Sequence, residues 1–246
     1  MKYAIVFPGQ GSQYLGMLSD LYNNFSIVKD IFSEASDALD LDLWKLVQED
    51  EDALNQTENT QPAMLAAGYA TYKVLSNEVD LSPICMAGHS LGEYTALLAA
   101  KSLNYFEAVK LVRKRAELMQ SAVPSGTGAM AAILGLDDEK VIEICSQSNN
   151  LGVVEAVNFN SPGQVVIAGE NEAVNKACES MKKAGAKRAL LLPVSVPSHC
   201  SLMNNAAQEF SYSVDAVNIK MGDTSVIHNV DASYANDANE IKLKLV

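Results

Sequence analysis

The sequence predicts an α/β protein, with a mainly parallel sheet flanked by helices on both faces and a small inserted subdomain of βαββαβ order. Three observations carry this reading. Short apolar runs bounded by Gly and Pro alternate with longer helix-prone stretches, the pattern of strands joined by crossover helices. One apolar run, Ile84-Cys85-Met86-Ala87, leads through Gly88-His89-Ser90-Leu91-Gly92 directly into helix-prone residues. Past a break at Pro124-Ser125-Gly126-Thr127-Gly128, strands and helices recur on a smaller scale.

Taken in order, residues 3–7 form a first apolar strand, followed by the turn-rich Pro8-Gly9-Gln10-Gly11-Ser12-Gln13. A mostly helical, acidic region extends to about residue 60. Its run Glu49-Asp50-Glu51-Asp52 is a solvated loop or helix end. Gln61-Pro62 opens an Ala- and Leu-rich helix with Pro near its first turn. The strand 84–87 and the helix Glu93–Lys101 come next, then a helix from Tyr105 to Ser121. Beyond the break the order is strand Ala129–Leu134, helix Asp138–Ser146, strand Val153–Asn158, strand Gln164–Ala168, helix Glu172–Lys183 and strand Arg188–Val194. Ser161-Pro162-Gly163 supplies a hairpin-type turn. This is the split-βαβ, ferredoxin-like pattern, in a compact unit of about 70 residues. Val226-Ile227-His228-Asn229-Val230 reads as a late strand. The expected division is therefore residues 1–125 and 199–246 for the large domain and 126–198 for the small one.

A chain of 246 residues, 48% hydrophobic and 20% charged, has ample length for a packed globular core. Its formal net charge of −12 would repel a phosphate backbone, which argues against nucleic-acid binding. No stretch has the apolar length of a membrane span, and the first apolar run is too short for a signal peptide. Cys85, Cys145, Cys178 and Cys200 are widely spaced without a CxxC pair, pointing to a reduced, cytoplasmic setting and no structural zinc.

Gly88-His89-Ser90-Leu91-Gly92 fits G-x-S-x-G in its proper context, apolar strand before and helix after. A sharp strand-to-helix turn exposes a serine hydroxyl, and the Leu91 N–H could help hold a developing oxyanion. The plainer reading is a helix-capping serine. A nucleophilic serine needs a base, and only His89, His199 and His228 are available. His89 adjoins the serine and reads as structural, and His228 reads as a packed strand histidine. His199 follows Pro197-Ser198 in a loop before a helix and is the best placed. No carboxylate is obviously positioned to orient it, which favours a Ser–His dyad over a triad.

Arg115 lies inside an apolar stripe, three or four residues from Leu111, Val112, Leu118 and Met119. An inward-facing guanidinium needs an anion, either a protein carboxylate or a substrate carboxylate held bidentately. The Gly9–Gly11 loop lacks the spacing and lysine of a phosphate cradle. Gln10 within it could reach a site at the carboxyl edge of the sheet, or be a plain loop residue.

The motifs Phe7-Pro8-Gly9-Gln10-Gly11-Ser12-Gln13, Thr60-Gln61-Pro62-Ala63, Gly88-His89-Ser90-Leu91-Gly92-Glu93-Tyr94, Arg115, Asn158-Phe159-Asn160-Ser161-Pro162-Gly163-Gln164 and Pro197-Ser198-His199-Cys200 stand in one order along the chain. In this the chain resembles the malonyl-CoA:acyl carrier protein transacylases of bacterial type II fatty acid synthesis. The resemblance implies an α/β-hydrolase-like large domain and a ferredoxin-like small one. It implies Ser90 as nucleophile, His199 as general base, Gln10 and Leu91 as oxyanion-hole N–H donors, and Arg115 as partner of the malonyl carboxylate. The implied partners are malonyl-CoA and an acyl carrier protein, without metal or other cofactor. A serine thioesterase or a non-catalytic fragment is the competing reading. The family also implies tens of further residues past Lys244-Leu245-Val246, with a Gln-Leu…Pro-Val…Trp stretch that helps orient the histidine. Lys182, Lys183, Lys187 and Arg188 form a basic cluster that reads either as carrier docking or as lysines suiting a helix C-terminus.

Overall fold

A computed structural model describes residues 2–124, 126–194 and 196–246. Ser125, at the end of the expected first segment of the large domain, lies outside the described residues. The chain divides into two compact units, Met1–Glu117 with Phe210–Val246, and Leu118–Glu209.

The first unit begins with β1 (Ala4–Phe7), and four helices follow: α1 (Ser19–Asn24), α2 (Ser26–Leu39), α3 (Leu43–Glu49) and α4 (Glu51–Leu54). Trp44 on α3 stacks on Tyr22 at 3.7 Å between ring centroids and meets Phe32 edge-on at 4.9 Å, tying α1, α2 and α3 together. The acidic run 49–52 is exposed, and Asp50 within it caps α4 by accepting from the Ala53 N–H at 2.9 Å.

The long helix α5 spans Thr57–Glu78, so it starts a full turn earlier than the sequence suggested and carries Pro62 inside it. Pro62 has no N–H to give the Glu58 carbonyl. Arg113 Nη1 donates to that oxygen at 3.1 Å and to Asn59 Oδ1 at 2.7 Å, which makes the internal proline tolerable. Next come β2 (Cys85–Gly88), α6 (Gly92–Ala99) and α7 (Tyr105–Ser121). Every residue of α6 is buried, Glu93 included, as expected of a helix that is apolar nearly all round.

The second unit holds β3 (Gly128–Leu134), α8 (Asp138–Ser148), β4 (Val154–Ser161), β5 (Gln164–Glu170), α9 (Asn171–Lys183) and β6 (Arg188–Leu191). The strands form an antiparallel sheet in the order β4-β5-β3-β6. One face packs on α8 and α9 through Ile133, Val141, Ile144, Ile167, Val174 and Met181. Gly163, at φ +73°, makes the tight β4–β5 turn possible. β6 stops at Leu191 rather than Val194. Pro193 cannot donate to the ladder, and the Val194 N–H turns back onto Leu192 O at 2.8 Å.

The chain continues with α10 (Asn204–Ala216), β7 (Val226–Ile227) and α11 (Ala238–Lys244). β1, β2 and β7 form a parallel sheet with β2 in the middle, pairing Phe7 with Gly88 and Met86 with Val226. The fold is thus mixed α/β, with a parallel sheet in one unit and an antiparallel sheet in the other. β7 is only two residues long, where a run to Val230 had looked like strand. His228 and Asn229 leave the ladder to meet Glu93, and the His228 N–H bonds Ser233 O at 3.0 Å instead. Among the described residues no helix is long and apolar enough to cross a membrane.

Candidate active site

The turn between β2 and α6 is built by close approach. A Cβ on Gly88 would fall 1.9 Å from the Gly92 carbonyl carbon, and one on Gly92 would fall 2.3 Å from Phe7 O. On the neighbouring loop, a Cβ on Gly9 would lie 2.4 Å from His89 O. Three glycines therefore bring the end of β1, the turn and the start of α6 into backbone contact. His89 N–H donates to Phe7 O at 3.0 Å, and Gly92 N–H to His89 O at 2.9 Å. At the apex Ser90 takes φ +50°, a left-handed conformation uncommon for a residue with a Cβ. That conformation differs from a simple helix cap, whose residue is typically extended.

Arg115 reaches this serine from α7. Its Nη2 lies 3.2 Å from Ser90 Oγ, and its Nη1 donates to Gln61 Oε1 on α5 at 2.8 Å. The guanidinium carbon sits 5.7 Å from the centroid of the buried Tyr94 ring. Burial pushes the Tyr94 phenol above its ordinary range, with the Arg115 charge pulling the other way. The ion pairs among the described residues take up Arg113 but not Arg115. A half-buried guanidinium beside a serine hydroxyl, held by a neutral amide and an aromatic face, is a ready receptor for a small carboxylate.

Gln10 sits in the loop leaving β1, its side-chain amide donating to Thr57 Oγ1 at 3.3 Å. Leu91 stands at the N-terminus of α6. Among the described residues, the main-chain N–H of neither Gln10 nor Leu91 is bonded to a protein acceptor. Both are therefore free to serve an oxyanion.

His199 belongs to the second unit. It occupies a turn at φ +68°, exposed, immediately before the short 3-10 segment Ser201–Met203 and α10. Glu155 braces that turn, accepting from the Ser201 N–H at 2.9 Å and from Ser201 Oγ at 2.6 Å. The adjoining Cys200 is buried, and its thiol is pushed up to about 11 by desolvation, so it is no competing nucleophile at neutral pH.

Sequence reasoning assigned no role to Gln61, Tyr94, Glu93 or Asn229. Gln61 and Tyr94 lay inside motifs read for other residues. Glu93 and Asn229 meet only because β7 lies beside β2. His228, read as a packed histidine, is indeed buried, with Nδ1 2.7 Å from Glu93 Oε1. Among the described residues no group of three or more His, Cys, Asp or Glu side chains is arranged to hold a metal ion.

Residues 4–241 match the acyl transferase domain family. The malonyl CoA-acyl carrier protein transacylase of Haemophilus influenzae is 53% identical over the whole chain and 79% of its own length, and that of Escherichia coli K12 is 49% identical over 80% of its length. Among solved structures, the malonyl CoA-acyl carrier protein transacylase of Coxiella burnetii superposes with a TM-score of 0.98 at 47% identity, covering all of this chain and 78% of that one. A malonyl-transacylase in complex with its type II PKS acyl-carrier protein gives 0.97 at 50% identity, covering 100% and 80%. The fold is shared with these solved structures, and the chain belongs to the acyl transferase domain family.

Proposed function

We propose that this protein moves a malonyl group from malonyl-CoA to the phosphopantetheine thiol of an acyl carrier protein, supplying fatty acid biosynthesis. Ser90 Oγ attacks the thioester carbonyl while His199 takes its proton. The C–S bond breaks, CoA leaves as the thiol with that proton, and malonyl-Ser90 remains. The carrier thiol then gives its proton to His199 and attacks the ester. Ser90 recovers a proton as its C–O bond breaks. The N–H groups of Gln10 and Leu91 receive the oxyanion in both steps.

The observation that carries this reading is Arg115 Nη2 at 3.2 Å from Ser90 Oγ. In a malonyl ester the free carboxylate is only one methylene beyond the acyl carbonyl. A cation this close to the nucleophile therefore suits a short diacid and leaves an acetyl group without a partner. The left-handed turn at Ser90 and the close-packed glycines beneath it support an α/β-hydrolase-like first domain. The βαββαβ order and the strand order β4-β5-β3-β6 support a ferredoxin-like second domain. Four free, buried cysteines support a cytoplasmic setting.

Intact mass after mixing with malonyl-CoA alone tests the first half-reaction. The expected result is a persistent malonyl adduct, absent in Ser90→Ala and much weaker with acetyl-CoA. Rapid release of free malonate without an adduct would make the protein a hydrolase; neither adduct nor malonate would refute acyl transfer by this chain.

A further inference from the structure

A side-chain amide from just past the end of β7 clasps the turn that carries Ser90. Asn229 Oδ1 accepts the Ser90 N–H at 3.0 Å, while Asn229 Nδ2 donates to Gly88 O at 2.9 Å. One planar group thus bonds the backbone on both sides of His89, where the chain is forced into its left-handed bend. The amide is itself held. Glu93 Oε2 accepts from the Asn229 N–H at 2.9 Å and also from Asn229 Nδ2. Glu93 Oε1 lies 2.7 Å from His228 Nδ1. Glu93 and His228 are 4% and 1% exposed, so the brace is shielded from water and its bonds are not traded for solvent.

This arrangement has a chemical consequence. With its N–H committed to Asn229, Ser90 cannot offer that N–H to an oxyanion, whereas the Leu91 N–H has no protein acceptor among the described residues. We propose that Asn229, held by Glu93 and His228, is a positioning residue: it fixes the Ser90 main chain so that the hydroxyl is presented for attack and the oxyanion is left to Leu91. The inference rests on Ser90 being the nucleophile. It assigns work to three residues that lie outside the Ser–His pair, the oxyanion donors and the carboxylate-binding arginine.

The test is single-turnover formation of malonyl-Ser90, located by peptide mass, across a range of malonyl-CoA concentrations. Absence of acylation at Ser90 in the wild-type chain would remove the nucleophile reading, and this inference with it, before any variant is compared. With wild-type acylation established, Asn229→Ala should lower the maximal acylation rate by about 10- to 100-fold, as a small misplacement of a reacting group does. The half-saturating malonyl-CoA concentration and the malonyl-to-acetyl ratio should barely move, because Arg115 is untouched. An unchanged maximal rate, or a loss confined to half-saturation, would overturn the proposal.

A second comparison separates positioning from mere packing and stands even if the alanine variant is unstable. Asn229→Asp alone sets two carboxylates against each other. Adding Glu93→Gln restores one donor and one acceptor between the positions, and keeps an acceptor for the Ser90 N–H. The double variant should therefore acylate several-fold faster than Asn229→Asp alone. Equal or slower acylation by the double variant would refute the brace.

Discussion

Replacing Arg115 by Ala is the sharpest test of how substrate choice arises. In the resting site the guanidinium bonds two neutral acceptors, Gln61 Oε1 at 2.8 Å and Ser90 Oγ at 3.2 Å. A malonyl carboxylate would replace these with two bonds charged on both sides, each better by about 1.5 kcal/mol than the cation-to-neutral bond given up. Roughly 3 kcal/mol net remains, about two decades in rate at about 1.4 kcal/mol per decade. Coulomb attraction at about 4 Å and an effective dielectric near 20 gives about 4 kcal/mol, the same order for a half-buried pair. Arg115→Ala should thus lower malonyl kcat/KM by about 100-fold and leave acetyl kcat/KM within a few-fold, collapsing the preference. The assay is competitive transfer of malonyl and acetyl groups to a holo carrier protein, with folding checked by thermal denaturation. Arg115→Lys, which keeps the charge but loses the two-pronged donor, should fall between. A folded Arg115→Ala variant with an unchanged malonyl-to-acetyl ratio would refute the reasoning.

Gly88→Ala would place a Cβ 1.9 Å from the Gly92 carbonyl carbon, and the expected loss is about 3 kcal/mol or more in thermal or urea unfolding; a variant of normal stability would show that the turn is not close-packed. Arg113→Met removes the donor to Glu58 O and Asn59 Oδ1, and should destabilise by about 1–3 kcal/mol while the malonyl-to-acetyl ratio stays put; a change in that ratio would mean the two arginines are not separate in role. Burial raises the thiols of Cys200 to about 11 and Cys145 to about 12 from 9.0, so a thiol reagent at pH 8 should react far more slowly with the folded chain than after denaturation. The folded state holds those thiol protons more tightly, so the associated stability is intact below pH 9 and is lost as pH rises towards 11 and 12, visible as a falling Tm.

Much of the architecture was legible because it is written in local pattern. β2, the turn and α6 follow from an apolar run, two glycines and a helix-prone stretch. The βαββαβ unit follows from apolar periodicity and Ser161-Pro162-Gly163. The position of Arg115 against apolar neighbours followed from helical spacing alone. What escaped was decided by partners distant in sequence. The start of α5 read as Gln61-Pro62 because a proline suits a helix's first turn. Only Arg113, from α7, makes an internal proline tolerable by taking up the Glu58 carbonyl. The apolar run to Val230 read as strand because nothing nearby shows that Glu93 draws His228 and Asn229 out of the ladder. Glu155 is likewise 46 residues from the Ser201 that it holds. Interactions between residues so far apart leave no mark in a window of sequence.

The two arginines two positions apart on α7 show how one helix supplies both structure and a ligand-ready charge. Residues i and i+2 point in widely different directions on a helix. Arg113 turns towards the first turns of α5 and is used up there. It bonds Glu58 O and Asn59 Oδ1, and it pairs with Glu117 at 2.8 Å and Glu58 at 3.8 Å. Its charge is cancelled within the fold. Arg115 meets the same helix one turn on, where α5 offers the neutral amide of Gln61 in place of a carboxylate. A carboxylate at position 61 would satisfy the guanidinium and close the site to an anionic acyl group. In the proposed function, glutamine fixes its direction and leaves its charge to be answered by the malonyl carboxylate. Gln61→Glu should therefore act much as loss of Arg115 does, depressing malonyl transfer while the fold is kept. Malonyl transfer at the wild-type rate would mean that Gln61 does not keep that charge available.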